Sequence, residues 1–155
     1  MGFEIERKFV LAQPPPQLTG ARVLPIAQGY LAVDDDAEVR VRRIGDRHVL
    51  TVKRGAGLRR LEEEIELAAA QFDALWRATE GRRLEKRRHV FEEEGVTFEV
   101  DVYDGALAGL IVAEVEFASE DESAAFAPPA WLGTEVTGDR RYSNQQLALA
   151  GRPDG

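Results

Sequence analysis

Along this chain, apolar and charged residues alternate one for one in segment after segment. Near the start, Phe3, Ile5 and Phe9 interleave with Glu4, Glu6 and Lys8. Val39 and Val41 interleave with Arg40 and Arg42, Val52 separates Thr51 from Lys53, and Leu61, Ile65 and Leu67 flank Glu62, Glu64 and Glu66. The period returns at Lys86 and Arg88, at Glu99 and Asp101 among Phe98, Val100 and Val102, and at Glu114 and Glu116 beside Val115 and Phe117. A repeat of two sends successive side chains to opposite faces of a strand. Each segment therefore predicts a strand with one apolar and one charged face. Turn formers punctuate the pattern at Pro14 to Pro16, Asp34 to Asp36, Gly45-Asp46, Gly55 to Gly57 and Glu93 to Gly95. Strands are expected near 2–12, 22–33, 37–44, 47–54, 58–67, 82–92, 95–104 and 110–118, most neighbours pairing as hairpins.

Three stretches break the alternation. Phe72, Leu75, Trp76 and Thr79 recur at helical spacing, so 69–79 predicts an amphipathic helix ended by Gly81 and packed on the sheet. Ser119 with Glu122 forms a capping box for a short helix stopped by Pro128 and Pro129, and Asp139 is placed to cap a last helix running through Leu149. The expected fold is α+β, mainly β: a closed eight-stranded antiparallel barrel with a few helices packed outside. Such a barrel is about wide enough inside for one small ligand. The length of 155 residues suits a single domain over 1–155, and no repeat or disordered linker interrupts it.

Charge decides what kind of ligand. A solvated sheet face mixes signs, because like charges opposite one another are unfavourable, whereas here acids and bases are segregated by strand. Neighbours on one face of a strand lie roughly 7 Å apart. Acidic pairs at that spacing call for cations, and basic pairs for a polyanion. Carboxylate oxygens suit hard cations such as Mg²⁺ or Mn²⁺; His48 and His89 make no zinc set and are read as structural, and the absence of cysteine removes thiolate sites and disulfides. Arg40, Arg42, Lys53, Lys86 and Arg88 supply forks and point charges for phosphate oxygens. With no Walker loop and no Ser paired to a clear base, water is the expected nucleophile. The net charge of −8 argues against nucleic acid as a partner. Charges near the N-terminus and the lack of a long apolar run argue against a signal peptide or membrane span, and Glu6 stands where a myristoylation signal needs Ser or Thr, so a cytoplasmic location is expected.

The motif Glu4-Ile5-Glu6-Arg7-Lys8 resembles the ExExK signature of the CYTH superfamily, the triphosphate tunnel metalloenzymes. Gln28-Gly29-Tyr30-Leu31, Val39 to Arg42, Leu50 to Lys53, Glu62 with Glu64, Lys86 with Arg88, and Ala113 to Glu116 follow in the family's order. Gln71 to Lys86, Glu135 to Thr137 and Arg140 to Tyr142 resemble its short bacterial tripolyphosphatase branch. The resemblance implies hydrolysis of inorganic triphosphate to pyrophosphate and phosphate, with Mg²⁺ or Mn²⁺ as cofactor. It implies metal ligation by Glu4, Glu6, Glu64, Asp101, Glu114 and Glu116, with Glu62 and Glu99 in support. Lys8, Arg40, Arg42, Lys53, Lys86, Arg88 and Arg140 would bind substrate, and Glu4, Glu6, Lys8, Lys86 and Glu116 would carry catalysis. Arg140 replaces the family's expected lysine, and Glu63 replaces a common aromatic residue. Relatives with the same tunnel act on thiamine triphosphate, nucleoside triphosphates or RNA 5′ ends, or cyclise ATP, and a non-catalytic polyphosphate or nucleotide binder is a further alternative. Tyr30 is the one candidate for stacking on an organic group, although packing is the stronger reading. The resemblance also allows a homodimer.

Overall fold

The computed structural model describes residues 5–55 and 61–153. Its strands are β1 (Ile5–Val10), β2 (Arg22–Val33), β3 (Ala37–Ile44), β4 (Arg47–Arg54), β5 (Leu61–Glu66), β6 (Arg83–Glu93), β7 (Val96–Tyr103), β8 (Ile111–Phe117) and β9 (Thr134–Glu135). They form one antiparallel sheet in the order β5-β4-β3-β2-β6-β7-β8-β1-β9. This corrects the expected closed barrel of eight. Among the described residues β5 pairs only with β4, so the sheet stays open, and the short β9 adds to the β1 edge through Phe9 and Val10. Adjacent strands pair as hairpins from β2 to β5 and from β6 to β8. Two long-range pairings, β2 with β6 and β1 with β8, join these groups.

Register separates the two faces. Phe9, Phe98, Val100, Ile111, Ala113 and Val115 bury on the apolar face with Leu11 and Leu132, beneath Phe126 and Trp131. Each large side chain buried there contributes roughly 1.5–3 kcal/mol. The charged face grades at one end into a second apolar cluster of Tyr30, Leu84, Tyr103, Leu107, Leu110, Val112, Leu147 and Ala148. Tyr30 is only 1% exposed. It is packing, as its stronger reading held, and has no surface to stack on an organic group.

Helix α1 (Ala69–Trp76) continues as a 3-10 turn over Arg77–Thr79 before Gly81 turns the chain at positive φ. The turn lies against β2 so closely that a Cβ at Gly29 would sit 2.6 Å from that of Thr79, which is why glycine occupies that strand position. In α2 (Glu120–Ala125) Ser119 Oγ accepts from Glu122 N–H, while the Glu122 carboxylate reaches Ala118 N–H rather than closing the box on Ser119. The predicted last helix is split: Asp139 caps only a 3-10 turn, Arg140–Tyr142, and α3 (Asn144–Ala150) starts afresh. Ser143, extended at ψ 150, accepts from Gln146 N–H, and such local side-chain bonds start a new helix in place of continuing the old one. Among the described residues no helix is long and apolar enough to cross a membrane.

Candidate active site

The alternation of each strand becomes a site because the pairings align the charged faces. Gln28 lies opposite Arg42, and Tyr30 opposite Arg40. Arg40 faces Thr51, Glu38 faces Lys53, and Thr51 and Lys53 face Glu64 and Glu62. On the far side of β2, Lys86 pairs with Ile26 and Arg88 with Leu24; these in turn meet Tyr103 and Asp101 of β7. Glu99 then meets Glu114, while Glu6 and Lys8 of β1 meet Glu116 and Glu114. All expected site residues within the described strands thus share one face. Glu4 lies outside the described residues. Arg140 is exposed, and among the described residues its side chain makes no hydrogen bond or ion pair.

Bases concentrate on β3, β4 and β6, and acids on β7, β8 and β1. At the seam Asp101 is 2% exposed and engages both oxygens: Arg88 donates to them at 2.9 and 3.0 Å, and Lys86 Nζ stands 2.8 Å from Oδ2. Burial pushes the Asp101 carboxyl up, but the two cations hold it below the ordinary aspartate range. Burial also lowers Lys86, which Asp101 partly opposes. Arg42 is lowered by burial and by repulsion from Arg40 and Arg88.

Four polar atoms of this basic sector are buried without a partner: Gln28 Oε1, Arg40 Nε, Arg42 Nε and Thr51 Oγ1. Leaving such groups unpaired costs about 1–3 kcal/mol each; the three donors among them, Arg40 Nε, Arg42 Nε and Thr51 Oγ1, suit an anionic guest, whereas Gln28 Oε1 is an acceptor and calls for a donor. Gln28 and Thr51, both fully buried, were not on the sequence's candidate list because neutral residues carry no charge signal. In the sequence they are marked by the period of two that they share with Tyr30 and Lys53 and by lying inside the stretches Gln28 to Leu31 and Leu50 to Lys53 that carry the family resemblance.

The acidic sector has the opposite imbalance. Glu6 faces Glu116, and Glu99 faces Glu114, placing like charges directly opposite. Glu99 is raised first by burial and then by Glu116, Glu114 and Asp101, against the pull of Arg88. Lys8 offsets part of this charge, its Nζ 3.7 Å from Glu114. Among the described residues no three acidic or histidine side chains converge into a ready-made metal cage. The donor set is all carboxylate, which fits a hard divalent cation and not a soft one. Glu64, on the exposed strand β5, faces Thr51 across from this group.

A sequence model of the CYTH domain matches residues 2–143. An inorganic triphosphatase of Nitrosomonas europaea is 48% identical over 149 residues, which cover 95% of this chain and 97% of that protein. One from Acetivibrio thermocellus is 42% identical over 149 residues, covering 95% and 94%. The crystal structure of an inorganic triphosphatase superposes with a TM-score of 0.85 at 44% identity, covering 99% of each chain.

Proposed function

Because this chain belongs to the CYTH domain family, we propose that it hydrolyses inorganic triphosphate to pyrophosphate and phosphate with a divalent cation. The observation that carries the reading is the charged face itself, split into a basic sector with unpartnered donors and an acidic sector of opposed carboxylates. Identity to an inorganic triphosphatase along nearly the whole of both chains supports it.

In this reading Lys8, Arg40, Arg42, Lys53, Lys86 and Arg88 grip the oxygens of a linear triphosphate, and Arg140 reaches its outer end. Glu6, Glu114 and Glu116, with Glu4 and Glu64, would hold Mg²⁺ or Mn²⁺, supported by Glu62 and Glu99. Asp101, assigned to the metal by resemblance, instead orients Lys86 and Arg88, since both its oxygens are engaged by them. When bound, the cation supplies Lewis acidity toward phosphate oxygens and makes a coordinated water more acidic. Water oxygen bonds to a terminal phosphorus, the bridging P–O bond breaks in line, and pyrophosphate departs with the electron pair. Charge spreads over the phosphoryl oxygens in that transition state. Fixed guanidinium and ammonium groups there contribute by being oriented before the charge develops.

In this reading β1 to β8 form the wall along the substrate, and β5, which pairs with β4 alone among the described residues, packs down when tripolyphosphate binds. Slower amide exchange in Leu61–Glu66 with tripolyphosphate and Mn²⁺ would bear this out, and unchanged exchange would contradict it. The reading further assigns one cytoplasmic domain over 1–155 acting on a small polyphosphate, with neither nucleic acid nor membrane as partner. Sedimentation tests the homodimer. The function is tested by metal-dependent phosphate release from tripolyphosphate; release from thiamine triphosphate or ATP instead, or cyclic AMP formation, would replace it.

A further inference from the structure

The stretch where the last helix breaks lies against the charged face at three points. Lys8 Nζ donates to the carbonyl of Tyr142 at 3.3 Å. Lys86 Nζ donates to Asn144 Oδ1 at 3.2 Å, and the Tyr103 hydroxyl donates to the same oxygen at 3.1 Å. Gln145 Nε2 donates to Glu38 Oε1 at 3.0 Å, while the other Glu38 oxygen accepts from Arg40 at 3.2 Å. Three residues of one four-residue stretch therefore reach Lys8 on β1, Lys86 on β6 and, through Glu38, Arg40 on β3, which are far apart in sequence and converge only on this face.

We propose that Tyr142–Gln145, centred on Asn144, is a positioning element that sets Lys8, Lys86 and Arg40 for the triphosphate, an inference that rests on the function proposed above. An ammonium has three donors. Asp101 and Asn144 accept two from Lys86, fixing the group and leaving the third for a phosphate oxygen. Without Asn144 the flexible lysine stem turns about its single remaining partner. The segment can serve as a fixed reference because both ends are tied. Tyr142 N–H bonds to Asp139 at 3.1 Å, Ser143 caps α3, and Leu147, 1% exposed, anchors the helix among Tyr30, Leu84 and Tyr103. The split of the helix is thereby given a use: a continuous helix would not present a carbonyl, an amide oxygen and an amide nitrogen together.

Asn144→Ala is the decisive variant, since alanine is at least as good as asparagine in a helix and the apolar anchor stays in place. Its melting temperature should fall by several degrees, on the order of 5 °C, because Lys86 and the buried Tyr103 hydroxyl lose a shared acceptor, while the protein stays folded at assay temperature. KM for tripolyphosphate should rise and kcat/KM should fall by roughly tenfold to a hundredfold, the scale expected of a misplaced binding group. Gln145→Ala, which frees Glu38 from α3, should give a smaller loss in the same direction. Calorimetric binding of tripolyphosphate in chelator should weaken in parallel. A purely structural residue would lower the folded fraction and hence kcat, leaving KM alone. A wild-type KM and affinity in Asn144→Ala, or a loss confined to melting temperature and kcat, would overturn the inference while leaving the proposed function standing. A wild-type protein that neither binds nor hydrolyses tripolyphosphate would overturn both.

Discussion

Arg7 and Arg42 occupy opposite faces of the same sheet, and the difference between their surroundings separates structure from function. Arg7 spends its guanidinium on the protein: Nε and one terminal nitrogen bind Glu135 at 2.9 and 2.7 Å, and the other binds the carbonyls of Ser123 and Phe126. One base meets one acid, and the contacts tie β1 to β9 and to the end of α2. Arg42 has a buried Nε with no partner and faces repulsion from Arg40 and Arg88. Charges that the fold satisfies hold it together, and charges that it leaves in excess await something else. Asp101 stands between the two cases, a buried carboxylate fully engaged by two cations of the charged face.

Substitutions at these three places should come apart in stability and activity. Asp101→Asn has the largest effect. It leaves the Lys86 charge buried without its countercharge, which costs about 3–5 kcal/mol of stability, visible in urea unfolding, and it disorders the basic sector, so activity falls as well. Wild-type stability in this variant would mean that water reaches Lys86. Arg42→Ala comes next: phosphate-release kinetics should show a loss on the order of 100- to 1,000-fold in kcat/KM. Its melting temperature should hold or rise, because burial and repulsion are relieved together. A drop in stability with normal kinetics would make Arg42 a structural residue like Arg7.

Arg7→Ala should reverse that pattern, costing about 1–2 kcal/mol of stability with KM within twofold of wild type. The smallest effect is its pH dependence. Arg7 holds the Glu135 carboxyl down to about 2 from an ordinary 4.5. A depressed carboxylate contributes stability above its unfolded pKa and loses it as pH falls through the folded one. The deficit of Arg7→Ala should therefore be constant above pH 4.5 and shrink toward pH 2. A deficit that persists to pH 2 would assign the stabilisation to the two carbonyl contacts instead.

Arg7 also marks how far the sequence could be read. Alternation puts Ile5 and Phe9 on the face opposite Glu6 and Lys8, and Arg7, which lies between them, shares that face although its charge does not fit the apolar pattern, because side-chain facing is a local property of a strand. Its partners on α2 and β9 are 116 to 128 residues away and leave no local trace. The same holds for the sheet. Hairpins from β2 to β5 and β6 to β8 follow from turns, whereas the β2–β6 and β1–β8 pairings, and the open edge at β5, depend on contacts between distant segments. Within the site, charged residues were legible through the segregation of sign. Gln28 and Thr51 are neutral, and Asn144 matters only because α3 docks beside Lys86. Ser143 was read as part of a helix that its own hydroxyl interrupts.

The most direct test of the central claim is phosphate release from tripolyphosphate, with pyrophosphate, ATP and thiamine triphosphate in parallel, in Mg²⁺, Mn²⁺ or chelator. The account predicts rapid release from tripolyphosphate with either metal, loss of that release in chelator, and little turnover of the other three. Release that survives chelation, or turnover of ATP or thiamine triphosphate ahead of tripolyphosphate, would contradict it.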